Sequence, residues 1–139
     1  MNSFNNELSI IISRLEKNGK VSFAPKVTED QIIEFETKNN ITLPLKYKEW
    51  LLFSDGGELF LPAGIQLYGV LHNPLIDIND DDRPSDNYIV IGALADGRPI
   101  LFEKNSERIL VYNHETGVID EVDTFYDFFD FLNNIDSKL

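Results

Sequence analysis

Apolar residues at helical spacing open the chain. Phe4, Leu8, Ile11, Ile12 and Leu15 share one face of a helix that Ser3 can cap and Gly19 can end. A second helix follows Thr28-Glu29-Asp30-Gln31, which has the capping-box form and sets two acids against the positive end of the helix dipole. Ile32, Ile33 and Phe35 are its apolar positions, and Asn39-Asn40 stops it. Pro44 suits the first turn of a third helix, because its missing N–H would have no helical partner there. Leu45, Trp50, Leu51, Leu52 and Phe53 give this helix its apolar side, and Asp55-Gly56-Gly57 breaks it.

Beyond that break the pattern changes to strands. Residues 58–61 and 65–70 flank Pro62-Ala63-Gly64, and residues 73–87 are too rich in proline and aspartate for a ladder. Tyr88-Ile89-Val90-Ile91 and Pro99-Ile100-Leu101-Phe102 read as strands joined through the hairpin signal Asp96-Gly97. Residues 108–112 and 118–122 are two more, joined by Asn113-His114-Glu115-Thr116-Gly117. Thr124 can cap a last helix, with Asp127 at its third position. Phe125, Phe128, Phe129, Leu132 and Ile135 form its stripe, which reads as core packing and not as a ligand cage. Helices, then hairpin-linked strands, then a closing helix predict an α+β fold. It is a single domain over residues 1–139, with N-terminal helices, a largely antiparallel central sheet covered on one face by helices, and a closing C-terminal helix.

Composition narrows the chemistry. A chain of 139 residues makes one domain and can bury a self-sufficient core. The absence of cysteine excludes disulfides, thiol nucleophiles, thiolate zinc sites and iron–sulfur clusters. The formal charge is −12, and its placement is uneven. Residues 1–54 hold seven acids and seven bases, whereas residues 55–139 hold 17 acids and five bases. A surface this negative repels phosphates and anionic lipid, so neither nucleic acid nor membrane is an expected partner, and a basic protein is. The N-terminus lacks the basic and apolar regions of a secretory signal, and no apolar run is long enough for a membrane span, so a cytoplasmic location is expected.

A search for catalytic chemistry finds little. There is no Walker A loop, no glycine-rich dinucleotide fingerprint after a strand, and no nucleophile elbow. His72 sits at a strand exit and His114 in a hairpin loop, neither with neighbours that suggest a triad. Asp77, Asn79 and Asp81 have the alternate spacing of a calcium-binding EF-hand loop. However, the positions that need glycine and a bidentate glutamate hold Asp82 and Tyr88. No catalytic residue, metal or cofactor is expected.

The segment Leu43-Pro44-Leu45-Lys46-Tyr47-Lys48-Glu49-Trp50-Leu51-Leu52-Phe53-Ser54-Asp55-Gly56-Gly57 resembles the signature of the SUKH superfamily, named partly for the fungal Smi/Knr cell-wall-assembly regulators. That signature is a short helix, Leu-Pro, an aromatic-rich helix and Asn-Gly-Gly or a close variant. Ile91-Gly92, Asp96-Gly97 and Ile100 resemble its central strand-turn-strand region, and Val111-Tyr112 with residues 125–132 resemble its end. The likeness covers roughly residues 28–132. Two departures stand out: Asp55 replaces the usual asparagine, and the central Gly-Asp of many members reads Asp96-Gly97.

The resemblance implies a non-enzymatic binding protein. Many bacterial members resemble immunity proteins that neutralise a cognate toxin by direct contact; others are intracellular regulators or scaffolds of the Smi/Knr type. Under the immunity reading the partner is a toxin domain, such as a nuclease, whose basic surface an acidic protein can occupy. The candidate contact is the charge-dense loop bearing Asp77, Asp80, Asp81, Asp82 and Asp86, with Glu58 and Tyr68 as neighbours.

Overall fold

A computed structural model describes residues 3–61, 64–71, 87–113 and 118–135. Helix α1 (Ser3–Asn18) buries Leu8, Ile11 and Leu15, and the Gly19 N–H closes its last turn on the Leu15 carbonyl at 3.1 Å. A three-residue strand, β1 (Lys20–Ser22), follows directly. It was not legible beforehand because its only apolar residue, Val21, cannot establish an alternation.

Helix α2 (Glu29–Asn39) has the expected capping box: Thr28 Oγ1 accepts from the Gln31 N–H at 3.2 Å, and Gln31 Oε1 accepts from the Thr28 N–H at 2.9 Å. Asn40, in the left-handed region at φ 53°, ends it. Ile32 and Phe35 are buried, but Ile33 points outward, since one residue along a helix turns the side chain by about 100°. Helix α3 (Leu45–Leu51) differs similarly from expectation. Tyr47, Trp50 and Leu51, spaced i, i+3, i+4, face inward, and Leu45 lies off that face and is exposed.

Pro44 occupies the cap position of α3 and offers no capping side chain. Glu107, 62 residues from Leu45 in sequence, supplies the cap: its carboxylate accepts from the Leu45 N–H at 2.8 Å and the Lys46 N–H at 3.3 Å. Glu107→Ala is expected to lower the unfolding free energy by about 1 kcal/mol. An unmoved midpoint in urea denaturation would show that water replaces this cap at no cost.

Among the described residues, seven strands form one sheet in sequence order, each antiparallel to the next. After β1 come β2 (Gly57–Leu61), β3 (Ile65–Leu67), β4 (Tyr88–Ala93), β5 (Pro99–Glu103), β6 (Ile109–Asn113) and β7 (Val118–Phe125). The β4–β5 hairpin closes at Asp96-Gly97 as expected, with Gly97 at φ 91°. Strand β7 runs past Val122, and its Thr124 pairs with Leu110. The residue expected to cap the last helix is therefore committed to the ladder. Asp127 caps helix α4 (Phe128–Asn134) instead, its side chain accepting from the Asp130 N–H at 2.8 Å.

The main core lies between the helices and one face of the sheet. It joins Leu15, Tyr47, Trp50, Phe128 and Phe131 to Ile91, Ile100, Phe102 and Val111. Phe125 contributes from β7 by setting its ring edge-on to Phe131 at 5.2 Å. The alternate residues Val90, Leu101 and Leu110 stand opposite one another across β4, β5 and β6 and are also buried, outside that cluster. Burial on both faces explains why these strands read as continuous apolar runs and not as alternation.

Candidate functional site

The segment from Leu43 to Gly57 is a device for holding chain segments together. Tyr47 is fully buried, and its hydroxyl donates to the Tyr68 carbonyl. Burial raises the Tyr47 pKa well above the usual phenol value, with the negative charge of Asp55 and the Tyr68 phenol adding to the effect. Trp50 Nε1 donates to the Gly56 carbonyl at 2.9 Å. Ser54 Oγ donates to the same carbonyl at 2.8 Å and accepts from the Ala24 N–H at 3.0 Å. The loop after α3 is thereby tied to the stretch following β1.

Asp55 is the least expected member. Its side chain is buried, and its two oxygens accept from the Val70 N–H at 2.7 Å and the Leu71 N–H at 2.9 Å. The carboxylate thus fixes the chain where it leaves β3, at the base of the acidic segment. Gly69 makes this approach possible, because a Cβ there would collide with the Asp55 side chain and carbonyl. Gly56 has a related role: it turns the chain at φ 90°, and an added Cβ would stand 2.5 Å from the Leu67 carbonyl oxygen.

Beside this anchor lies a recess of about 150 Å³. Ser22, Asp55, Glu58 and Gln66 contribute to its lining. Glu58 and Gln66 face each other across β2 and β3, and both are exposed. Small-molecule sites usually enclose roughly 300–1,000 Å³, so the recess fits a single side chain of a partner better than a substrate.

Of the residues singled out beforehand, Glu58 is exposed on the rim of the recess. Tyr68 is half-buried, packs against the core, and donates its backbone N–H to the Ile91 carbonyl at 2.8 Å. Asp77, Asp80, Asp81, Asp82 and Asp86 lie outside the described residues, as do His72 and His114. Sequence reasoning missed the anchoring role of Asp55. Its partners are two main-chain N–H groups, which every residue but proline possesses, so no side-chain pattern marks them. Among the described residues no three metal-ligating side chains converge, and no helix is long and apolar enough to cross a membrane.

Comparison with known proteins places this geometry in context. Residues 26–132 match the family model described as SMI1/KNR4 family (SUKH-1). A protein of Bacillus subtilis (strain 168), the uncharacterized protein YnaB, is 29% identical over 101 residues, covering 73% of this chain and 67% of that protein. The matched region takes in α2, α3 with its anchoring loop, the sheet from β2 onward and most of α4.

Proposed function

Because the chain belongs to the SMI1/KNR4 family (SUKH-1), we propose that it is a non-catalytic binding protein, an immunity protein that neutralises a basic toxin domain by direct contact. The observation that carries this reading is the placement of charge. The whole formal charge of −12 resides in residues 55–139, beginning at the anchoring loop. Exposed Glu58 stands at the edge of that region, and Asp77, Asp80, Asp81, Asp82 and Asp86 follow the point where Asp55 secures the chain. A toxin that grips phosphates must carry cations, and an acidic surface both covers them and accelerates encounter.

The test is to mix the full chain with the C-terminal domain of the protein encoded in the neighbouring reading frame. A complex that co-elutes and releases measurable heat is expected, with an association rate that falls as salt rises. Reversing Glu58, Asp80 and Asp81 together to lysine is expected to slow association by about tenfold or more. Absence of both heat and co-elution would defeat the immunity reading and favour a regulator or scaffold of the Smi/Knr type. A salt-independent rate would remove the electrostatic part alone.

A further inference from the structure

A second concavity lies between α2 and α3, lined by residues of the N-terminal, charge-balanced part of the chain. It encloses about 320 Å³. Its apolar lining is Ile32, Ile33, Leu45 and Leu52. Ile33 and Leu45 are 57% and 60% exposed, and they are two of the five exposed large apolar residues among those described. Isolated apolar residues on a surface need no explanation, but two that line the same groove form a patch.

The walls are acidic: Glu29, Glu36 and Glu49 line the groove, against the single ammonium of Lys48. Lys48 is already paired with Glu36 at 3.3 Å, and Glu36 also accepts from the Leu43 N–H at 2.7 Å. Lys46, two residues before Lys48, meets Glu7 at 3.7 Å and the Phe129 ring at 4.8 Å. Glu49 feels the positive charge of Lys46, but its Oε2 is buried and accepts no hydrogen bond among the described residues. A buried carboxylate oxygen with an open acceptor position is costly in the free protein and is relieved by an incoming cation.

From this arrangement we propose that the α2–α3 groove docks a basic amphipathic helix of a protein partner, an apolar side chain seating on Ile33 and Leu45 while a lysine or arginine reaches Glu49. The mode is that of a helix laid in a groove, where apolar contact supplies affinity and the flanking charges select the partner. A neutral apolar segment would cover Glu49 without pairing it. An anionic membrane is repelled by the walls, and a second copy of a chain carrying −12 is a poor cationic partner. The proposal rests on the reading of the chain as a protein-binding module, but it assigns a surface separate from Glu58.

The test uses the full ¹⁵N-labelled chain and a synthetic helical peptide with leucine on one face and lysine on the other. Controls are the same peptide with glutamate for lysine and with serine for leucine. Saturable binding of the first peptide alone is expected, with amide shifts concentrated in residues 29–52. Ile33→Asp and Leu45→Asp are each expected to weaken it by about fivefold or more, and Glu49→Gln by about threefold. Thermal unfolding checks that these variants fold; Ile33→Ala is the milder replacement should Ile33→Asp fail. Equal binding of the serine or glutamate peptide, shifts centred on β2 and β3, or no saturable binding would each overturn the proposal. These peptides do not involve the toxin domain, so failure here is distinguishable from failure of the immunity reading.

Discussion

Trp50→Ala is expected to lower the unfolding free energy by about 4 kcal/mol. Trp50 is the only tryptophan of the chain and is wholly buried. Its indole meets Phe23, Phe53 and Phe128 edge-on, with ring centroids 6.0, 5.6 and 5.9 Å away. These neighbours come from the stretch after β1, from the turn after α3 and from α4, so no single element can shift to fill the cavity. The substitution also leaves the Gly56 carbonyl without its indole donor, although Ser54 Oγ still reaches it. Trp50→Phe keeps most of the volume and loses the N–H, so about half the effect is expected. Small domains are stable by only about 5–15 kcal/mol in all, which makes the alanine variant partly unfolded near body temperature. Urea denaturation followed by far-ultraviolet circular dichroism measures it, since the variant has no indole fluorescence. A loss below about 1.5 kcal/mol would mean that the aromatic cluster closes over the gap.

Asp55→Ala is expected to cost about 3 kcal/mol, because it strips the acceptor from two main-chain N–H groups at once. The affected amides, Val70 and Leu71, are held at 2.7 and 2.9 Å by a side chain that is almost completely buried. Asp55→Asn preserves one acceptor oxygen but turns an amide N–H₂ toward the other donor, so a loss of about 1–2 kcal/mol is expected. Hydrogen exchange gives the residue-level measurement: the Val70 and Leu71 amides should exchange faster in both variants, and most in the alanine one. Unchanged protection at those two amides would show that the carboxylate does not hold the β3 exit. If the acidic segment carries the partner contact, as proposed above, releasing its base should weaken that complex even though Asp55 is itself hidden.

Much of the architecture was readable in local patterns. The capping box at Thr28, the left-handed stop at Asn40, the break at Gly56-Gly57 and the hairpin at Asp96-Gly97 each depend on a few neighbouring residues, so the order of residues along the chain specifies them. The change from helical to strand periodicity likewise placed the run of strands from β2 to β7 after the three N-terminal helices, while β1, between α1 and α2, gave no such signal. Where local signals competed with long-range pairing, pairing won. Thr124 is a plausible cap, yet the ladder to Leu110 holds it in β7 and leaves the capping to Asp127. The outward turn of Ile33 and Leu45 was equally hidden, because a short helix with several apolar residues admits more than one buried face until its neighbours are in place.

For the binding surfaces the division is sharper. Net charge and its concentration beyond residue 54 follow from counting residues, and the segment from Leu43 to Gly57 lies inside the stretch that matches the family. Only the assembled molecule shows that Asp55 is sequestered and Glu58 exposed, that Glu107 caps a helix 62 positions away, and that Glu29, Glu36 and Glu49 surround an apolar groove. Each of these depends on which distant segments touch. Contact between distant segments is set by how the whole core packs, a cooperative outcome that no short window of residues encodes.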